Sequence, residues 1–284
     1  MPVPGAGGVP PQATPDPGRV LPFRRLPRPK LPCSPNEKPP TETSLVTAPK
    51  PANYYAVPEL AAAYDADTES RQDLQFYLTL AAETGARRVA DIGSGTGLLC
   101  SLLAGQGYEV TGVEPEDTML SLAASQPHAD AVAWIRGTAE RLPDAWADLV
   151  LMTGHVAQYF LDDTAWVQVL THAGRTLRTG GRLAFEVRNP DAQAWRRWEG
   201  THSTSRGTVI QTVRRNGDLV THTDTWTNGS GTWTTTETLR FPSWDTVTSG
   251  LQATGLTVDQ CWGNWDRSPV RQGSPEWIFL TKGL

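Results

Sequence analysis

The chain is predicted to be an α/β protein: a Rossmann-like seven-stranded sheet with helices on both faces, a terminal antiparallel strand, and an antiparallel β insertion after strand 5. Three observations carry this expectation. From residue 89 to 187, short apolar runs alternate with helix-spaced segments, the rhythm of a parallel sheet covered on both sides. The first run ends in Asp91-Ile92-Gly93-Ser94-Gly95-Thr96-Gly97, where glycines at every second position make a tight turn into the following apolar helix. Residues 206–241 instead alternate Val, Ile, Trp and Leu with Thr, Arg and Asp around Asn216-Gly217 and Asn228-Gly229, which are hairpin signals.

The elements follow in order. Residues 54–65 and 70–82 have helical spacing and precede the sheet. Strands are expected at 89–92, 108–113, 132–135, 149–152 and 181–187, with helices at 98–104, 118–125 and 162–177 between them. About three antiparallel strands follow within 206–241, then a helix over 243–254 and two closing strands near 256–262 and 276–281.

Composition sets the domain boundary. Residues 1–51 hold 15 of the 23 prolines and no apolar periodicity, so they are expected to be a disordered basic tail, with the folded domain spanning 52–284. The tail has seven Lys and Arg against three Asp and Glu, which leaves 18 basic and 27 acidic residues in the body, a balance of −9. An acidic body is a poor match for phosphate backbones, so nucleic acid is not expected as a partner. There is no run of about 18 apolar residues and no apolar signal-peptide core, and a cytoplasmic protein that does not contact membranes is the default expectation. Cys33, Cys100 and Cys261 lack metal-type spacing, and no metal is expected. Oligomeric state leaves no mark.

In an open parallel sheet the ligand lies beyond the carboxyl ends of the strands, so the residues at each strand end are the candidates for binding it. The glycine loop brings backbone N–H groups close to a ligand, and the next helix adds its N-terminal partial charge. A dinucleotide fingerprint would need its third glycine at Leu98, which argues against a nicotinamide cofactor. Strand 2 ends in Glu114-Pro115, 23 positions after Asp91, where a carboxylate can accept two ribose hydroxyls. Strand 3 leads to Thr138-Ala139-Glu140, strand 4 to Thr153-Gly154-His155, and strand 5 to Arg188-Asn189.

This order of motifs resembles the class I S-adenosylmethionine-dependent methyltransferases of the small-molecule type, over residues 52–284. The resemblance implies that Asp91, Gly93, Ser94, Gly95, Thr96 and Gly97 hold the methionine and ribose portions of the cofactor. It also implies that Glu114 and Pro115 hold the ribose, and that Met119, Thr138, Ala139, Glu140 and Thr153 surround the rest. Thr138 stands where such enzymes often present an acid to the adenine amino group, which leaves Glu140 or the backbone to read the base.

Methyl transfer from a sulfonium is an in-line displacement that needs alignment and, for some acceptors, removal of a proton. His155 is the only histidine at an expected cofactor-side strand end; a general base, a pocket wall or neither role fits it. Tyr64, Tyr159, Arg188, Asn189 and Trp195 are the candidates for the acceptor side. Residues 52–82 and the insertion would form the lid. Strand 4 lacks the Asn/Asp-Pro-Pro-Tyr/Phe run of adenine or glutamine N-methylation, and no cysteine follows it for cytosine chemistry. The expected acceptor is therefore a small molecule methylated on N, O or C. An RNA acceptor, or a non-catalytic scaffold recruiting a partner through the proline-rich tail, are the competing readings.

Overall fold

The computed structural model describes residues 52–67, 71–204 and 207–283; the expected tail lies outside them. After the N-terminal segment come β1 (Arg88–Ile92), α3 (Leu98–Gly105), β2 (Glu109–Glu114), α4 (Asp117–Ala123), β3 (Val132–Arg136) and β4 (Ala147–Met152). α5 (Asp163–Thr176) and β5 (Leu177–Arg188) follow, then β6 (Gly200–Thr204), β7 (Gly207–Asn216), β8 (Leu219–Asn228) and β9 (Gly231–Arg240). α6 (Trp244–Ala253), β10 (Leu256–Trp262) and β11 (Glu276–Gly283) end the chain.

The main sheet has seven strands in the order β10-β11-β5-β4-β1-β2-β3. β1 pairs in parallel with both β2 and β4, so the chain switches direction across the sheet there and opens a crevice at the carboxyl ends. β11 runs antiparallel to β5. Alternate residues of each strand feed opposite faces, as a period of two requires. On one face Val150, Met152, Phe185 and Phe279 pack against Trp166, Val169 and Leu170 of α5 and Val247 and Leu251 of α6. On the other, Leu149, Leu151, Ala184 and Ile278 meet Leu99 and Leu103 of α3. α5 and α6 start where Asp162 and Ser243 accept the N–H of Ala165 and Thr246, each closing a free helix N-terminus.

Three expected elements differ. The helix over 54–65 is instead a 3₁₀ turn (Tyr54–Ala56), a single α turn α1 (Pro58–Ala61) and a second 3₁₀ turn (Tyr64–Asp67). Pro58 has no N–H to donate and so starts a new turn rather than continuing one. The second helix, α2 (Gln72–Glu83), buries Phe76, Tyr77, Leu80 and Ala81 in the core with α3. Of residues 52–82, expected to cover the cleft, only those before α2 border the cavity described below. Strand β5 starts four residues early, because Leu177 pairs with Ala147 before a register shift brings Arg182 opposite Leu149.

The insertion is a separate four-stranded antiparallel sheet, β6-β7-β8-β9, beginning at Gly200 rather than 206. β6 has no sequence signal, because Gly200-Thr-His-Ser-Thr204 carries no apolar alternation. Asn216 pairs with Leu219 and Asn228 with Gly231, so both hairpins turn at the expected Asn-Gly sites. One face packs Val209 and Trp226 against Val57 and Leu60 of the N-terminal segment. The other pairs Thr221 with Thr238 and Thr223 with Thr236 through their hydroxyls. Among the described residues no helix is long and apolar enough to cross a membrane.

Candidate active site

A cavity of about 490 Å³ opens at the carboxyl ends of β1, β2, β3 and β4, beside the switch point. Its floor is built first by the glycine loop. The amides of Gly93 and Ser94 both donate to the Val113 carbonyl of β2, at 2.8 and 3.1 Å, which ties the loop to the sheet. Gly93 and Gly97 have φ of +72° and +73°, and a Cβ on Gly93 would meet Val156 at 2.6 Å. These positions therefore need glycine for both conformation and space.

Glu114 ends β2 with 6% of its surface exposed and faces the cavity. One carboxylate oxygen accepts the Gly95 amide at 2.9 Å and the other accepts the Glu116 amide at 3.0 Å. Burial pushes this carboxyl above its ordinary range, while the Glu116 and Gly95 amides pull it back. Each oxygen keeps a further lone pair for a hydroxyl donor. Below the loop, Asp91 is 1% exposed and its Oδ1 has no protein partner, as is true of Ser94 Oγ. Burial raises Asp91 to about 7, although the Cys100 thiol donates to Oδ2.

The raised Asp91 makes a prediction with a definite sign. Its folded pKa lies above its unfolded value, so unfolding releases a proton between about pH 4 and pH 7. Stability contributed at this site is present at the acidic end of that window and is lost as pH rises to 7. Thermal midpoints of the protein and of Asp91→Asn, measured across that range, are expected to converge at low pH and to separate towards neutrality, with the variant more stable. Parallel curves would refute the assignment.

The N-terminal segment closes one side. Asn53 Nδ2 donates to Glu116 at 2.7 Å, Thr96 Oγ1 to Asp65 at 3.0 Å, and the Tyr55 and Tyr159 hydroxyls lie 2.6 Å apart. Tyr55, Tyr64, Tyr159 and Phe160 line the same cavity as Glu114, Met119 and Thr138, and the Tyr55 ring lies 5.9 Å from that of Tyr64 and 6.2 Å from that of Tyr159.

Of the residues expected at the site, the cavity wall contains Gly93, Gly95, Glu114, Pro115, Met119, Thr138, Ala139, Glu140, Thr153, Tyr64 and Tyr159. Asp91, Ser94, Thr96 and Gly97, also expected at the cofactor, are not among the wall residues, and Asp91 and Thr96 are buried in the loop's base. Four other candidates point elsewhere. The His155 backbone amide donates to Glu186 at 2.6 Å and its Nε2 lies 3.1 Å from Glu276, so the ring faces that carboxyl group rather than the cavity. Arg188 donates to Gln158 and lies over the Trp198 ring. Asn189 is 1% exposed, caps Asp191 and donates to the Ser274 carbonyl. Trp195 is buried edge-on against Phe241, its centroid 4.6 Å away.

Wall residues that the sequence did not single out include Asn53, Glu116, Val156, Gln168 and His172. Gln168 and His172 lie four apart on α5, a spacing that puts them on one helix face, but nothing local says which way that face turns.

Comparison with known proteins agrees with this architecture. Residues 89–181 match the family described as Methyltransferase domain. The chain carries a methyltransferase domain. An uncharacterized methyltransferase of Mycobacterium bovis, Mb3374, is 39% identical over 103 residues, which cover 35% of this chain and 39% of that protein. The matching stretch is less than half the length of the curated relatives it aligns with. Among solved structures, the CcbJ methyltransferase of Streptomyces caelestis superposes with a TM-score of 0.70 at 20% identity, covering 81% of this chain and 98% of that one. CalS10 of Micromonospora echinaspora, an amino pentose methyltransferase solved with S-adenosylmethionine bound, gives a TM-score of 0.58 at 17% identity over 78% of this chain and 95% of its own. The chain therefore shares its fold with these solved methyltransferases, and its four-stranded sheet follows β5.

Proposed function

We propose that the protein transfers a methyl group from S-adenosylmethionine to a small molecule. The observation that carries this is Glu114, pinned by two loop amides with its free lone pairs at the cavity, beside the unpartnered buried oxygens of Asp91 and Ser94. These residues fit the cofactor. A diol matches the Glu114 carboxylate, a cationic methionine end matches the Asp91 side of the loop, and Met119, Thr138 and Ala139 offer a shallow apolar wall for a base.

When bound, the cofactor supplies an electrophilic methyl group on a good leaving group. The chain's part is alignment. Glu114 and the loop would fix the nucleoside end, while Tyr55, Tyr64 and Tyr159 give the cavity an aromatic wall against which an acceptor can be held in line. The N-terminal segment covers this side through Asn53–Glu116 and Asp65–Thr96, which excludes water from the displacement. His155, committed to Glu276, is not needed in this scheme.

Acceptor class follows from charge. Among the described residues, the cavity wall carries Glu114, Glu116 and Glu140 and neither Lys nor Arg, which favours an uncharged or cationic small molecule over a phosphorylated one. The amino pentose acceptor named for CalS10 is consistent with that class. Calorimetry is expected to show binding of S-adenosylhomocysteine and none of NADH. Incubation of a metabolite extract with labelled cofactor is expected to yield a small product heavier by one methyl group. NADH binding without S-adenosylhomocysteine binding would overturn the proposal.

A further inference from the structure

Behind the aromatic wall of the cavity runs a line of hydrogen bonds that cofactor binding does not explain. Tyr55 and Tyr159 share a hydrogen bond of 2.6 Å, and Tyr159 donates to one carboxylate oxygen of Glu237. The other oxygen of Glu237 lies 3.0 Å from His222 Nε2, and His222 Nδ1 lies 3.0 Å from Asp224 Oδ1. Gln211 also donates to Asp224, and the Trp198 ring stands edge-on to the imidazole. His222 and Glu237 are direct cross-strand partners on β8 and β9, so the inserted sheet itself delivers this charge cluster to the site.

The hydrogens can be assigned. An ionised carboxylate only accepts, so an imidazole facing two carboxylates carries a hydrogen on both nitrogens. Burial opposes that charge on His222, but the hydrogen bonds to Asp224 and Glu237 outweigh it and lift its pKa to about 9. Burial alone would raise Glu237, yet His222 and Tyr159 hold it below the ordinary carboxylate range. Burial keeps Tyr55, Tyr64 and Tyr159 protonated, with Tyr64 near 12. The single hydrogen of Tyr159 is thus committed to Glu237, and that of Tyr55 to the same pair, Tyr159 and Glu237. What Tyr55 has left for the cavity is an oxygen lone pair.

We propose that Tyr55, held in this state by Tyr159, Glu237, His222 and Asp224, is the hydrogen-bond acceptor that selects and orients the methyl acceptor. The molecule accepted presents an N–H or O–H at the atom to be methylated. That hydrogen points to Tyr55, which leaves the nucleophile's own lone pair free to face the methyl group; as the new bond forms, the C–S pair leaves on sulfur, the positive charge passes to the methylated atom, and its hydrogen is lost through Tyr55 and Tyr159 to the Glu237 carboxylate or to solvent with the product. Tyr55 touches the substrate, whereas Tyr159, Glu237 and His222 are positioning residues. A carbon acceptor has no such hydrogen to offer, so the geometry narrows the N, O or C class to N or O.

This inference rests on the methyltransferase reading, and the experiment separates the two. S-adenosylhomocysteine affinity is measured first on the full chain, on Tyr55→Phe and on Glu237→Gln, and is expected to agree within about twofold, which also shows that the variants fold. Failure of the unaltered protein to bind it would overturn the underlying reading. All three are then incubated with labelled S-adenosylmethionine and the same metabolite extract. The product of the unaltered protein is expected to carry its methyl on nitrogen or oxygen. Both variants are expected to lose about 10- to 100-fold in acceptor kcat/KM, the cost of a hydrogen bond in a charge-assisted network, with cofactor KM unchanged. His222 resonances provide a readout that packing alone would not move: the titration midpoint is expected to fall in Glu237→Gln and to stay in Tyr55→Phe. Methylation on carbon, or full acceptor turnover by Tyr55→Phe, would overturn the proposal.

Discussion

Glu114→Ala is expected to abolish measurable cofactor binding at micromolar concentrations. Two hydroxyls donating to a carboxylate contribute about 1.5–3 kcal/mol each, so their loss weakens binding by a factor on the order of 10²–10⁴. The loss is compounded locally, because the Gly95 and Glu116 amides that Glu114 now satisfies are left without their acceptor and the loop is no longer tied at that point. Glu114→Gln separates the two contributions. Its amide oxygen can still accept one of the loop N–H groups, so loop order is retained, while the neutral side chain gives weaker hydrogen bonds to the hydroxyls. Titration calorimetry with S-adenosylhomocysteine reads both variants, and retention of affinity within threefold in Glu114→Ala would remove Glu114 from the cofactor site.

The largest stability effect is expected at Gly97. An alanine there would hold a φ of +73° and place its Cβ 2.5 Å from Trp134 Cη2 and 2.7 Å from Ala123 Cβ, with the Ala123 backbone at 3.1 Å. The left-handed conformation costs about 1–2 kcal/mol and the overpacking about 1–3 kcal/mol more, so Gly97→Ala is expected to lose roughly 2–5 kcal/mol. At this size a loss of 1 kcal/mol lowers Tm by about 2–4 °C, which gives a drop of about 4–20 °C. Gly107→Ala is the control. Its φ is +90° but nothing lies within 4 Å of the added Cβ, so only the backbone cost applies. Equal drops in calorimetric Tm for the two variants would show that steric contact with Trp134 is not what requires Gly97.

That control also shows why part of the site could be read directly from the chain and part could not. The need for glycine in Asp91–Gly97 is local, because a strand that must turn at once into a helix leaves few other conformations. The partner that enforces it at Gly97, the Trp134 ring of β3, sits 37 positions away and is brought over the loop by sheet pairing. The same division runs through the candidates at the strand ends. Glu114 is the last residue of β2 and Thr138 follows β3 by two residues, at the carboxyl ends of neighbouring parallel strands, and both reach the cavity. Arg188 is the last residue of β5, and His155, Asn189 and Trp195 follow their strands by three, one and seven residues; each of the four has a partner of its own: Trp198, Glu276, Ser274 and Phe241.

Periodicity and loop chemistry thus reach as far as the seven-stranded α/β sheet, the hairpin insertion, the glycine cradle and the carboxylate that ends β2. Each depends on residues close to one another in the chain. The acceptor end is different. Tyr55 meets Tyr159 across 104 positions, Tyr159 meets Glu237 across 78, and Asn53 meets Glu116 across 63. None of these pairs has a local signature, since hydroxyls and carboxylates at such separations meet only after the sheets have packed. Even the His222–Glu237 pair, only 15 positions apart, exists because the Asn228 turn fixes the register of β8 against β9. The glycine cradle and Glu114, the proposed methyl-donor side, are therefore encoded in short-range pattern, while the proposed acceptor surface is a product of long-range packing.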